Sequence, residues 1–254
     1  MKTRKKLLNI FLPALLVVFM AGCDFLGKDD PESGTLTISL SNQVSSQALG
    51  LESDTYVSAA GLSYNVTLLE YIVSDIQITD EDGNVVSIAD AHYVNQADAS
   101  TYSMGMIEVP PAKYVSLNFT FGIDGEKNEF GTLERSADFD NMLWPMMMPM
   151  GDGVMERYHY MRFEGRFGTD GVFRIHTGPS GGNDYSIDVS LPLDMDVDGD
   201  DWNLDIVSSI DEWLTQPYDW NFADYGMIMG NQTAQNLVYE NGHDVFKLGG
   251  VASN

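Results

Sequence analysis

Apolar and polar residues alternate along much of this chain, and helical spacing is scarce. In T-L-T-I-S-L-S, Leu36, Ile38 and Leu40 stand at every second position, which sets one face of a strand toward a core and the other toward water. The run from Leu62 to Thr79 is rich in β-branched and aromatic residues and is followed by E-D-G-N at 81–84 and then V-V-S-I. That order predicts a hairpin in which Gly83 supplies the positive φ of the turn. After Pro110 and Pro111, Val115, Leu117, Phe119 and Phe121 alternate with Tyr114, Ser116, Asn118 and Thr120, a strand with a marked apolar face. Y-H-Y-M-R-F-E-G-R-F, V-F-R-I-H-T and Y-S-I-D-V-S-L-P-L-D add short strands between glycine-rich turns. Serine-rich 41–60 reads as a loop, and Leu204–Leu214 and Asn231–Glu240 as modest helical candidates. The expectation is all-β: a single β-sandwich over residues 35–250, with peripheral helices and long loops.

The first residues carry a different signal. Lys2, Arg4, Lys5 and Lys6 precede an apolar run from Leu7 to Met20 and then Ala21-Gly22-Cys23. This is the pattern of an exported precursor with a lipobox, its apolar stretch shorter than a membrane span. Residues 1–22 read as a lipoprotein signal peptide, with Cys23 as the lipid acceptor and 23–34 as a flexible tether. Cys23 is the one cysteine in the chain, so no disulfide within the chain is available. The body is expected at the cell envelope, held to a membrane through lipid, on its periplasmic or outer-surface face. Removing the signal leaves nine of the 13 basic residues against 38 acidic ones, a net charge of about −29. Nucleic acid is thereby an improbable partner.

Chemistry concentrates between Asn141 and Gly178. N-M-L-W-P-M-M-M-P-M is followed by Y-H-Y-M-R-F-E-G and F-R-I-H-T-G. Thioethers and imidazoles are the neutral side-chain ligands that suit copper, which makes Met146, Met148, His159 and His176 a candidate metal set. Pro145 and Pro149 exclude a regular helix there, so the methionines sit in a loop or irregular edge. Their plain alternative is adaptable packing or a contact surface. His159 and His176 converge if the turn at Gly168 to Gly171 pairs their strands, and Glu164 or a backbone carbonyl is available to fix a ring's tautomer. The plain alternative for His159 is a satisfied core histidine. His92 and His243 lack comparable neighbours in sequence.

Asp194, Asp196, Asp198 and Asp205, with Gly199 at the sixth position, have the ligand spacing of an EF-hand calcium loop. Asp201 at position eight and an aspartate at position twelve depart from that pattern, and an acidic strand end and loop is the simpler reading. No G-x-S-x-G, H-E-x-x-H, C-x-x-C or phosphate-cradling loop occurs, so a non-enzymatic protein is expected.

W-P-M-M-M-P-M-G, Y-H-Y-M-R-F-E-G and F-R-I-H-T-G together resemble the MbnP-like family of extracytoplasmic copper-associated proteins. L-E-Y-I-V-S-D-I-Q-I-T at 69–79, V-P-P-A-K-Y-V-S-L-N-F-T-F-G-I-D at 109–124 and G-M-I-M-G-N through Phe246 are similar to further family blocks. Met146 stands where a second tryptophan is frequent, and Ala112 where a glycine is usual. The resemblance implies a β-sandwich that binds or handles copper at the bacterial cell envelope. It further implies Trp144 as an indole oxidised to kynurenine by a dihaem cytochrome-type partner, with His159 and His176 as imidazole ligands. The rival class is a lipid-anchored adhesion or recognition module that binds carbohydrate or a surface protein through Tyr218, Trp220 and Trp213.

Overall fold

A computed structural model describes residues 31–125, 127–128, 132–133, 136–143 and 157–253. In chain order the first strands are β1 (Gly34–Val44), β2 (Gln47–Ala48), β3 (Tyr56–Val57), β4 (Ser63–Asp80), β5 (Val85–Asn95), β6 (Ser103–Val109) and β7 (Ala112–Phe121). Helix α1 (Ala137–Asn141) leads to β8 (Met161–Phe167), β9 (Gly171–Thr177), β10 (Ile187–Val197) and β11 (Asp201–Ser209), and α2 (Gln232–Asn241) precedes β12 (Phe246–Ser253). These strands form two sheets. One has the order β12-β11-β1-β2 with β6 also on β1; the other runs β10-β7-β4-β8-β9 with β3 and β5 also on β4. The all-β sandwich expected from alternation is the fold observed.

Alternation explains the packing. In β1 the apolar residues Leu36, Ile38 and Leu40 are buried while the intervening Thr37 and Ser39 are half-buried. Phe246 of β12 closes the gap between the sheets, its ring 5.3 Å from Phe119, 5.7 Å from Phe121 and 6.2 Å from Tyr71. Three aromatic rings of the second sheet pack against one of the first and bury apolar area between the layers.

The second sheet forks, and the fork positions the site. Tyr71 of β4 pairs with Val94 of β5 and Met161 of β8, whereas Val73 pairs with His92 of β5 and Phe121 of β7. Strands β7 and β8 therefore share one edge of β4, end to end, and meet at Ile72. There the Ile72 N–H donates to the Tyr160 carbonyl at 3.0 Å and the Gly122 N–H donates to the Ile72 carbonyl at 2.8 Å. Gly122 has φ +85°, and a Cβ on it would run into the Tyr160 ring. Only glycine allows that turn and that contact together.

Several local expectations need adjustment. Residues 41–44 continue β1 rather than opening a loop, because Asn42 and Val44 are buried and pairing with β11 extends to Gln43. Most of the helical candidate Leu204–Leu214 is strand: Leu204 to Ser209 lie in β11, which pairs in parallel with β1, and Ile210–Leu214 forms a short 3-10 turn. In β7 the apolar face changes at a bulge. Ser116 and Tyr114 oppose the consecutive residues Thr79 and Asp80, so Val115 is the extra residue and is exposed while Tyr114 is buried. The second helical candidate is α2, capped by Asn231, whose side chain accepts from the Ala234 N–H. The turn after β4 is built as expected, with Gly83 at φ +85° and both Asp80 oxygens accepting from the turn.

Candidate metal centre

His159 precedes β8 rather than lying in it. The stretch Tyr158–Met161 is buried at every residue, which breaks alternation because it is enclosed on all sides. Asn128, itself fully buried, grips Tyr158 twice: its amide donates to the Tyr158 carbonyl at 3.1 Å and its oxygen accepts the Tyr158 N–H at 2.8 Å. The Tyr160 N–H donates to the Thr177 carbonyl of β9 at 2.8 Å. On the other side Leu143 forms a bridge with Tyr158, and the Met142 carbonyl accepts the His159 N–H at 2.6 Å.

The β8–β9 hairpin brings the second imidazole to the first. Met161 pairs with Thr177 and Arg162 with His176, and the two histidine rings lie 5.2 Å apart at 90°, edge to face. Both are buried, at 3% and 8% exposure. One nitrogen of each has an acceptor in contact. His159 Nδ1 is 3.0 Å from the Met142 carbonyl, and His176 Nε2 is 2.8 Å from Glu164 Oε1. Both of those acceptors lack a proton to give, so Nδ1–H and Nε2–H are the donors, and the lone pairs fall on His159 Nε2 and His176 Nδ1. This is the arrangement that metal-binding histidines use to fix tautomer and ring orientation.

Electrostatics favour the same state. Burial pushes the His159 imidazole down to about 3, with His176 nearby adding to the effect and the Met142 hydrogen bond opposing it. Burial also lowers His176, against the Glu164 carboxylate. Two neutral imidazoles at pH 7 are chemically suited to a soft metal ion.

Trp144, Met146 and Met148 lie outside the described residues, as does Cys23. Leu143, the residue before Trp144, is the one bridged to Tyr158. Among the described residues no group of three or more His, Cys, Asp or Glu side chains is arranged to hold a metal ion. The calcium-loop residues are spread over two strands. Asp194 and Asp196 are exposed on β10, with Asp194 3.4 Å from Lys113. Asp198, in the turn, accepts from the Glu32 N–H at 3.3 Å, and Asp205 of β11 accepts from Ser41 at 3.2 Å. The segment is strand, turn, strand, and its carboxylates face different partners instead of converging as in a helix-flanked loop. His92 contacts the Thr101 carbonyl at 2.8 Å, and the ring of His243 is 5.0 Å from that of Tyr239.

The aromatic contacts of the recognition reading need correction. Trp213 and Trp220 are each 1% exposed and belong to the core, Trp213 lying 4.6 Å from Phe121; only Tyr218 is on the surface. An apolar ring is worth most when fully buried.

Sequence reading missed the supports of the two imidazoles. Asn128 holds the backbone of Tyr158, next to His159. Gln235 of α2, fully buried, donates to the His176 carbonyl at 2.7 Å. Arg162 and Glu70 form an ion pair at 2.8 Å beside the site. Glu70 had a visible signal, a carboxylate within the apolar run L-E-Y-I-V, which burial makes costly without a partner.

Residues 33–233 match the protein family described as MbnP. The fold is similar to that of MbnP from Methylosinus trichosporium, with a TM-score of 0.55 and 12% sequence identity over 87% of this chain and 99% of that chain. No curated protein matches the chain. A family match over more than half of the sequence, joined to the same sandwich fold, places this chain in the MbnP family.

Proposed function

We propose that this protein binds copper at the bacterial cell envelope, as a lipid-anchored, non-enzymatic member of its family. The supporting observation is the buried, edge-to-face pair of His159 and His176, each with one nitrogen turned to an oxygen acceptor. His159 and His176 would hold the metal through Nε2 and Nδ1. Trp144, oxidised to kynurenine by a dihaem cytochrome-type partner, and thioethers from Met146 and Met148 would complete the set. Copper supplies a Lewis-acidic, redox-active centre when bound; the protein's part is to keep two imidazoles neutral and oriented. Cys23 carries the lipid that holds the domain to the membrane.

Two measurements test this. Copper stoichiometry after equilibrium dialysis should be one per chain and fall to background in His159→Ala and His176→Ala. Tandem mass spectrometry of the tryptic peptide Ser136 to Arg157, from protein isolated from its native host, should show kynurenine at Trp144. Undiminished copper in both histidine variants sinks the site. An unmodified Trp144 removes the oxidised ligand and the dihaem partner from the proposal.

A further inference from the structure

Arg162 joins parts of the molecule that the imidazoles do not join themselves. In strand register it lies between Glu70 of β4 and His176 of β9. Its Nη1 donates to Glu70 Oε2 at 2.8 Å and to the Asn141 carbonyl at 3.2 Å. Glu70 is 6% exposed, and its other oxygen, Oε1, accepts from the Tyr93 hydroxyl of β5 at 2.9 Å. Asn141 ends α1. The carbonyl of the next residue, Met142, is the one that accepts both the backbone and the ring N–H of His159.

We propose that Tyr93, Glu70 and Arg162 form a latch that docks residues 141–143 onto His159. Arg162 is then a positioning residue of the copper site, an assignment that rests on the function proposed above. The argument turns on what this ion pair adds. A well-packed apolar pair at positions 70 and 162 would hold β4 to β8 at least as well, since a partly buried ion pair is weak support for stability by itself. A guanidinium offers something an apolar side chain lacks: a rigid fork of N–H donors, so that one group engages a carboxylate and a backbone carbonyl at once. That second contact reaches the residue beside the Met142 carbonyl. Tyr93 and Glu70 aim the fork, and the fork fixes the segment that orients the His159 ring.

The test is hydrogen exchange of the metal-free full chain, together with copper affinity by chelator competition. In Arg162→Met the amides of Met142, Leu143 and His159 should exchange at least tenfold faster, while the β4–β8 ladder from Tyr64 to Leu69 keeps its protection. Copper affinity should fall at least tenfold with both histidines in place, and Arg162→Lys should restore part of it. Unchanged protection at 142, 143 and 159 overturns the latch. So does protection lost evenly along β4 and β8, which would make Arg162 a sheet-stabilising residue only. Should Arg162→Met fail to fold, Glu70→Gln, which keeps the side-chain volume and the Tyr93 contact, gives the same readings. A wild-type protein that binds no copper refutes the metal reading, and the exchange comparison still decides the latch.

Discussion

At the scale of single residues, the state of each imidazole is decided by the atom its other nitrogen touches. Glu164 holds His176 Nε2–H at 2.8 Å while also lying 3.4 Å from Arg174. Replacing it with glutamine keeps the shape and removes the charge that makes the bond strong. Copper affinity of Glu164→Gln, read by chelator competition, should drop about 10- to 100-fold, the usual effect of losing such a partner. Equal affinity in the two proteins would mean that Glu164 does not orient the ring. Gly122 makes a purely structural counterpart. Its positive φ and the Tyr160 ring against it predict that Gly122→Ala costs about 2–4 kcal/mol in urea unfolding, from backbone strain plus overpacking. An alanine variant as stable as the parent would show that the fork at Ile72 tolerates a side chain. The meeting of the two imidazoles was legible because His159 and His176 are separated by one hairpin, and the glycine turn at 168–171 announced it. Asn128 and Gln235 were not legible. Each acts through backbone atoms distant in sequence, and an amide in a polar stretch carries no local mark of such a role.

Among the elements, α2 shows how a peripheral helix supports the centre. Asn231 caps it by accepting the Ala234 N–H at 3.1 Å, and the helix carries Gln235 to the His176 carbonyl. Asn231→Ala should lower stability by about 1 kcal/mol, in the range of lost N-caps, through a lower urea midpoint at unchanged slope. A changed slope would point instead to a partly unfolded helix. The helix and the β4–β5 turn could be read directly, since each depends on residues close in sequence. Strand β11 could not. Leu204, Ile206 and the serines after them have an ambiguous short period, and what settles them as strand is parallel pairing with β1, about 165 residues away. The bulge at Val115 escaped for a similar reason: nothing in β7 itself shows that β4 advances one residue where β7 advances two.

For the molecule as a whole, the buried imidazoles couple stability to pH in a window of their own. The chain carries a formal charge of −25 with histidines neutral, and its carboxylates far outnumber its bases. Ordinary carboxylates take up protons near pH 4, so acid unfolding below about pH 4.5 mixes many groups. The histidines act earlier. His159 is lowered from 6.5 to about 3 in the folded protein, and His176 is lowered as well, both chiefly by burial. Below pH 6.5 the unfolded chain therefore binds protons that the folded chain refuses, and stability must fall as pH falls. Between pH 6.5 and 4.5 His159 alone removes about 2–3 kcal/mol, since each unit of pH is worth about 1.4 kcal/mol while only the unfolded side is protonated. Against the roughly 5–15 kcal/mol of an ordinary domain, that is a visible loss. Urea midpoints should be level from pH 8 to 7 and decline steadily from 6.5 to 4.5, and the decline should shrink in His159→Gln, which has no proton to take. A flat wild-type profile across that window would mean that the ring titrates as it does in the unfolded chain, and the neutral, buried imidazole pair on which the proposed copper site rests would have to be abandoned.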